Sequence, residues 1–273
     1  MKTNLSAAAV LAALLAASPA LAGQITVDGS TTVGPLVKAL AETFRTANTE
    51  TEITVSESGS GNGAKSLVNG LCHIAMLSRP LKSTEFKAAV ERNIEPTPHV
   101  LAYDAIVLIV HPSNPVKGLT REQARDIFSG KITNWRAVGG ADAAIIVISR
   151  DSNSGTFETF EQLVMNKELI SAKTETAGSN GAVRQRVQNT PNALGYVGIG
   201  YVDRTTKALA IDGTAPSAET VKEGLYALSR PLFVYTNGYP ALGSELHRFI
   251  SFYLSKRGQS IIEEVGFVPV TQY

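Results

Sequence analysis

Three times in this chain a strand-like run passes through a loop rich in Ser, Thr and Gly and enters an amphipathic helix. The loops are D-G-S-T-T-V-G-P at 28–35, S-E-S-G-S-G-N-G at 56–63 and R-D-S-N-S-G-T at 150–156. Around the first two, residues 24–27, 53–55 and 74–77 read as strands. Val33, Leu36, Val37, Leu40 and Phe44, and then Leu67, Val68 and Leu71, recur at helical spacing. Pro35 falls in the first turn of the earlier helix, where the missing N–H has no partner to lose. This alternation predicts an α/β fold with a largely parallel sheet, because parallel neighbours need a crossover between them.

Beyond residue 96 the pattern continues. Residues 97–110 carry two apolar stretches, 120–129 a helix, 145–148 a strand, and Phe157, Phe160, Leu163 and Val164 a further helix. A Gly-rich strand lies within 194–201, a late strand at 232–235, and helices at 246–253 and 259–265. There is no tandem repeat, low-complexity tract or long linker, so two lobes would be joined by strands.

Each loop has the makings of an anion site. A helix N-terminus presents backbone N–H groups without internal partners and the positive end of the macrodipole. Glycines allow close backbone approach, and hydroxyls are donors that rotate to fit. Plain capping explains any one such loop. Three in one chain point to a shared anion, and Arg150 opens the third with a fork suited to a tetrahedral oxyanion. The competing role for Arg150 is a salt bridge to a carboxylate such as Asp151.

Composition narrows the partners. The 25 Lys+Arg nearly balance the 24 Asp+Glu, which leaves no broad field for nucleic acid. Residues 1–22 read as a cleaved signal peptide: Lys2, an apolar run over 7–17, and A-L-A at 20–22 before Gly23. No cysteine stands near that point, so a lipoprotein anchor is not expected, and the exported chain would carry no net charge. The single Cys72 reads as a buried small hydrophobe. No phosphate-binding G-x-x-x-x-G-K-[ST] loop, G-x-S-x-G elbow, S-x-x-K or H-E-x-x-H occurs, and His73, His99, His111 and His247 show no ligand spacing. Neither an enzyme, a cofactor nor a metal is expected. Trp135 reads as a packing residue.

These loops, with A-M-L-S-R-P-L at 75–81, A-Y-D-A-I-V-L-I-V-H-P-S-N-P at 102–115, F-S-G-K-I-T-N-W at 128–135 and G-Y-V-G-I-G-Y at 195–201, resemble the periplasmic phosphate-binding proteins of the phosphate ABC transporter, the PstS family. The likeness runs along most of the mature chain. It implies a two-lobed periplasmic binding protein fold, type II-like, each lobe a mixed, mostly parallel sheet flanked by helices, with a ligand cleft between. The implied lobes are 23–104 with 230–273, and 105–229, with hinge strands near Asp104 and Arg230-Pro231.

The resemblance also implies an exported, monomeric periplasmic protein that captures inorganic phosphate and delivers it to a membrane-embedded ABC permease. Its phosphate contacts map to Ser30, Thr31, Thr32, Ser60, Ser78, Arg79, Arg150, Ser154, Gly155 and Thr156. Arg79 departs from the pattern: many members place there an aspartate that accepts the proton of hydrogen phosphate. Asp28, Glu57, Asp104 and Asp151 are the possible replacements. Sulfate or another tetrahedral oxyanion therefore stays open as ligand, as does a secreted phosphatase built on the same cradle. An adhesin or matrix role has no supporting tract.

Overall fold

The computed structural model describes residues 23–271; the expected signal peptide lies outside them. The first half runs β1 (Gln24–Gly29), α1 (Gly34–Ala47), β2 (Glu52–Ser56), α2 (Ser60–Val68), β3 (Ile74–Leu77), α3 (Ser83–Val90) and β4 (Pro96–Val110). Then follow β5 (Gly118–Leu119), α4 (Arg121–Phe128), β6 (Ile146–Arg150), α5 (Gly155–Phe160), β7 (Glu175–Ala177), α6 (Asn180–Gln188), β8 (Ala193–Gly198), β9 (Lys207–Ala208) and β10 (Ala210–Ile211). The chain closes with α7 (Ala218–Lys222), β11 (Ser229–Asn237), α8 (Glu245–Phe252) and α9 (Lys256–Glu264).

The main sheet has the order β2-β1-β3-β11-β4-β8-β6-β7, with β9 on β4; β5 and β10 form a small second sheet. At one end β1 is parallel to β2 and β3, and at the other β6 is parallel to β7 and β8. The centre is antiparallel, because β11 returns against both β3 and β4, and β4 pairs antiparallel with β8. The sheet is thus mixed, and the parallel pattern holds towards its two ends.

The two apolar stretches expected over 97–110 are one continuous strand. Residues 96–105 of β4 pair with β11, and residues 106–110 pair with β8. Separate apolar cores lie on either side of that change. Ile25, Leu36, Phe44, Leu101, Leu232 and Phe249 belong to one; Ile106, Leu108, Phe128, Phe160, Tyr196 and Leu228 belong to the other. In β3, Ile74 and Met76 face the first of these cores, while Ala75 and Leu77 face a smaller cluster with Leu67 and Cys72. This alternation explains why β3 is apolar throughout: both its faces are covered.

Some local readings need correction. The second helix ends at Val68, and Leu71, 72% exposed, lies beyond it. α5 passes at Glu161 into a π-helical turn ending at Met165. Helices α3 and α6 were not anticipated from the apolar spacing. Trp135 is buried and donates Nε1–H to the Asn192 carbonyl at 3.0 Å. Cys72 is buried, and burial, helped by Asp28, pushes its thiol up to about 12.

Candidate anion-binding site

The loops leaving β1, β2 and β6 meet where the two cores adjoin. Ser30 N–H donates to the Met76 carbonyl at 2.8 Å, which ties the first loop to β3. Gly59 N–H donates to the Gly29 carbonyl at 2.7 Å, which ties the second loop to the first. Gly59 has φ 100, a left-handed value that costs glycine little, and Ser60 then opens α2. Gly61 N–H reaches the Asn153 carbonyl at 2.9 Å, which brings the third loop against the second.

Within this junction the polar side chains converge. Thr32 Oγ1 lies 2.9 Å from Thr156 Oγ1, and Ser60 Oγ lies 3.2 Å from Ser78 Oγ. Gly155 must be a glycine here: a Cβ would stand 2.5 Å from Ser60 Oγ and 2.7 Å from Ser78 Oγ. Arg150 is fixed from several sides. Its backbone N–H donates to the Tyr196 hydroxyl at 3.2 Å, Nε to the Ala177 carbonyl at 3.0 Å, and Nη2 to the Gly178 carbonyl at 3.1 Å and to Thr31 Oγ1 at 3.3 Å. The competing partner Asp151 stands 3.8 Å from Nη2, too far for a close pair. Nη1 is buried and has no hydrogen-bond partner in the protein. Burial lowers the Arg150 pKa, and Asp151 partly restores it.

Ser30, Thr31, Thr32, Ser60, Ser78, Arg150, Ser154, Gly155 and Thr156 are all buried around this point. Two of them have local duties as well. Ser30 Oγ accepts from Thr32 N–H at 3.1 Å, and Ser154 Oγ caps α5 by accepting from Phe157 N–H at 3.2 Å.

Arg79 is differently placed from its neighbour. Its Nη1 and Nη2 form a fork on Glu85, each at 2.8 Å, and Nε lies 2.9 Å from Glu158 Oε2. The segment after β3 contributes the Ser78 hydroxyl to the cluster, while the Arg79 guanidinium is engaged by carboxylates.

Three residues not singled out as ligand contacts complete the cluster. Asn180, wholly buried at the start of α6, donates Nδ2 to Thr31 Oγ1 at 3.0 Å and to Thr32 Oγ1 at 2.9 Å. Arg230 donates to Thr156 Oγ1 at 3.0 Å and to the Ser78 carbonyl at 3.2 Å. Tyr201 donates its hydroxyl to the Thr31 carbonyl. A signal for Asn180 existed: A-G-S-N-G at 177–181 repeats the small-residue loop design before a helix. A signal for Arg230 was its charge two residues before the apolar run at 232–235.

The candidate replacement carboxylates are all occupied. Asp28 accepts from the Ser58 and Ser66 hydroxyls at 2.6 and 2.5 Å, and Glu57 pairs with Lys38. Asp151 accepts from Asn153 N–H at 2.9 Å. Asp104 is wholly buried and holds Arg230 Nε at 2.9 Å and Ile199 N–H at 2.8 Å. Burial raises its pKa, against the pull of Arg230 and the N–H groups of Ile199 and Ala105. Among the described residues no group of three or more His, Cys, Asp or Glu could hold a metal.

What this arrangement offers chemically is a ring of hydroxyl, guanidinium and helix N-terminal donors. Residues 16–257 match the model of a PBP superfamily domain. The chain is 33% identical to the phosphate-binding protein PstS of Borreliella burgdorferi over 257 residues, covering 90% of each. A putative phosphate ABC transporter substrate-binding protein of Clostridium perfringens, solved with bound phosphate, superposes with a TM-score of 0.85 at 36% identity, covering 91% of this chain and 100% of that one. An ABC-type phosphate transport receptor of Vibrio cholerae gives 0.73 at 33% identity, covering 89% and 99%. The chain belongs to the PBP superfamily and, within it, to the PstS family of phosphate-binding proteins.

Proposed function

We propose that this protein is an exported solute-binding protein that captures inorganic phosphate between two lobes and delivers it to an ABC-type membrane permease. The observation that carries this reading is Arg150 Nη1, a buried nitrogen without a protein partner on the guanidinium whose Nη2 reaches Thr31 Oγ1. A buried unpaired donor is costly, and an oxyanion at that point removes the cost. The names of the relatives support phosphate as the anion and a transporter as the destination.

The lobes are residues 23–104 with 230–273, and 105–229. The separate cores on either side of Ala105 and of Leu228 support that division. Phosphate contacts are assigned to Ser30, Thr31, Thr32, Ser60, Ser78, Arg150, Ser154, Gly155 and Thr156. Arg79 is assigned a bracing role, from β3 to Glu158 on α5. The protein works in the periplasm, freed from its signal peptide, as a monomer.

Calorimetric titration of the refolded, phosphate-stripped protein tests this. Stoichiometric, tight phosphate binding without turnover of an aryl phosphate is the expected result. Heat with sulfate and none with phosphate contradicts the ligand assignment, and hydrolysis contradicts the binding-protein reading.

A further inference from the structure

The direction of hydrogen bonding in the cradle is set from behind it. Backbone N–H of Gly198 meets one amide atom of Asn180 at 3.1 Å, and because an N–H only donates, that atom is Oδ1. Nδ2 is thereby turned to Thr31 and Thr32. Arg150 Nη2 adds a second donor to Thr31 Oγ1. Arg230 Nη2, held by Asp104, supplies one to Thr156 Oγ1. A hydroxyl has one proton and two lone pairs, and neither a guanidinium nor an amide NH2 accepts. Thr31 Oγ1 has both lone pairs filled, so its proton must be given. Thr32 and Thr156 each take one such donor and share a further bond between them.

The geometry points to Asn180 as a positioning residue that, with Arg150, commits the Thr31 hydroxyl of the cradle to donation. Asn180 acts through Thr31 and Thr32 and leaves the anion itself to them. Its effect is specificity for an unprotonated oxyanion edge at Thr31, whose oxygen has no capacity left to accept a ligand proton, whereas Thr32 and Thr156 together keep one proton and one lone pair. The serine side differs, because Ser78 Oγ meets only the Ser60 hydroxyl and keeps lone pairs free. The inference rests on the phosphate reading given above.

A double-mutant cycle between Asn180→Ala and Thr31→Val in the full chain tests it by calorimetry. Phosphate and sulfate are both titrated, and the cycle is read with whichever anion the natural chain binds. Asn180→Ala is expected to weaken binding about tenfold in the natural background. With Thr31→Val present the same change is expected to cost about threefold or less, because its main route is gone. Asn180→Ser replaces the alanine variant in the cycle if the latter does not fold. An equal loss in both backgrounds overturns this proposal and leaves the phosphate reading standing. A natural chain that binds neither anion overturns both.

Discussion

Arg230 on β11 and Asp104 on β4 are register partners, and their side chains form an ion pair with Nη2 2.7 Å from Oδ2. The pair is 4% and 0% exposed. These two strands are the ones that pass between the cores, and the same guanidinium reaches Ser78 and Thr156. One ion pair therefore links the strand crossing to both sides of the cradle.

Breaking such a pair from one side leaves a charge buried alone. Asp104→Asn is expected to lower unfolding stability by about 3–5 kcal/mol. Urea denaturation measures this, and a loss below about 1 kcal/mol, the scale of an exposed pair, would show that the charge is not buried as described.

Gly155→Ala tests the closeness of the loops. Its Cβ would sit 2.5 Å from Ser60 Oγ, so the third loop must retreat from the second. The variant is expected to lose phosphate affinity by at least about tenfold, the effect of roughly 1.4 kcal/mol. Its thermal midpoint is expected to change little, because the clash lies between loops and outside both cores. Unchanged affinity would contradict the placement of Gly155.

Arg79→Met separates bracing from binding. With its fork on Glu85 and Nε on Glu158, Arg79 is expected to contribute to stability, and phosphate affinity should stay within about threefold of natural. A selective collapse of affinity with unchanged stability would return Arg79 to the contacts.

His99 supplies a pH dependence. Burial lowers its pKa, and its ring lies 2.8 Å from Thr236 Oγ1, whose hydroxyl donates to the Gly238 carbonyl. The folded state thus favours the neutral ring, with Nε2–H donating. The stabilisation is full above the unfolded value near 6.5 and falls as pH drops through it towards the lower folded value. Urea midpoints at about pH 7.5 and pH 5 are expected to differ less in His99→Gln than in the natural chain. An identical slope in both would remove His99 as a cause.

Much of the fold was legible because its strands and helices announce themselves by period. Val33, Leu36, Val37, Leu40 and Phe44 mark one helix face, and Pro35 lies within its first turn. Helix α6 was not legible from apolar spacing: Val183 and Val187 are its apolar buried residues, set among Arg and Gln. Asn180 went unrecognised with it. Arg150 and the loop hydroxyls could be read because their types imply anion chemistry. The roles of Ser78 and Arg79 could not be told apart, since consecutive residues point different ways and only the positions of Glu85 and Glu158 decide between them.

Under the proposed function Arg150, buried beside Thr31, holds the anion. The most direct measurement is the phosphate dissociation constant of Arg150→Ala beside that of the natural chain. Loss of a buried, hydrogen-bonded charge predicts a weakening of at least about thirtyfold, with the fold retained by circular dichroism. Full affinity in a folded Arg150→Ala chain would contradict the account.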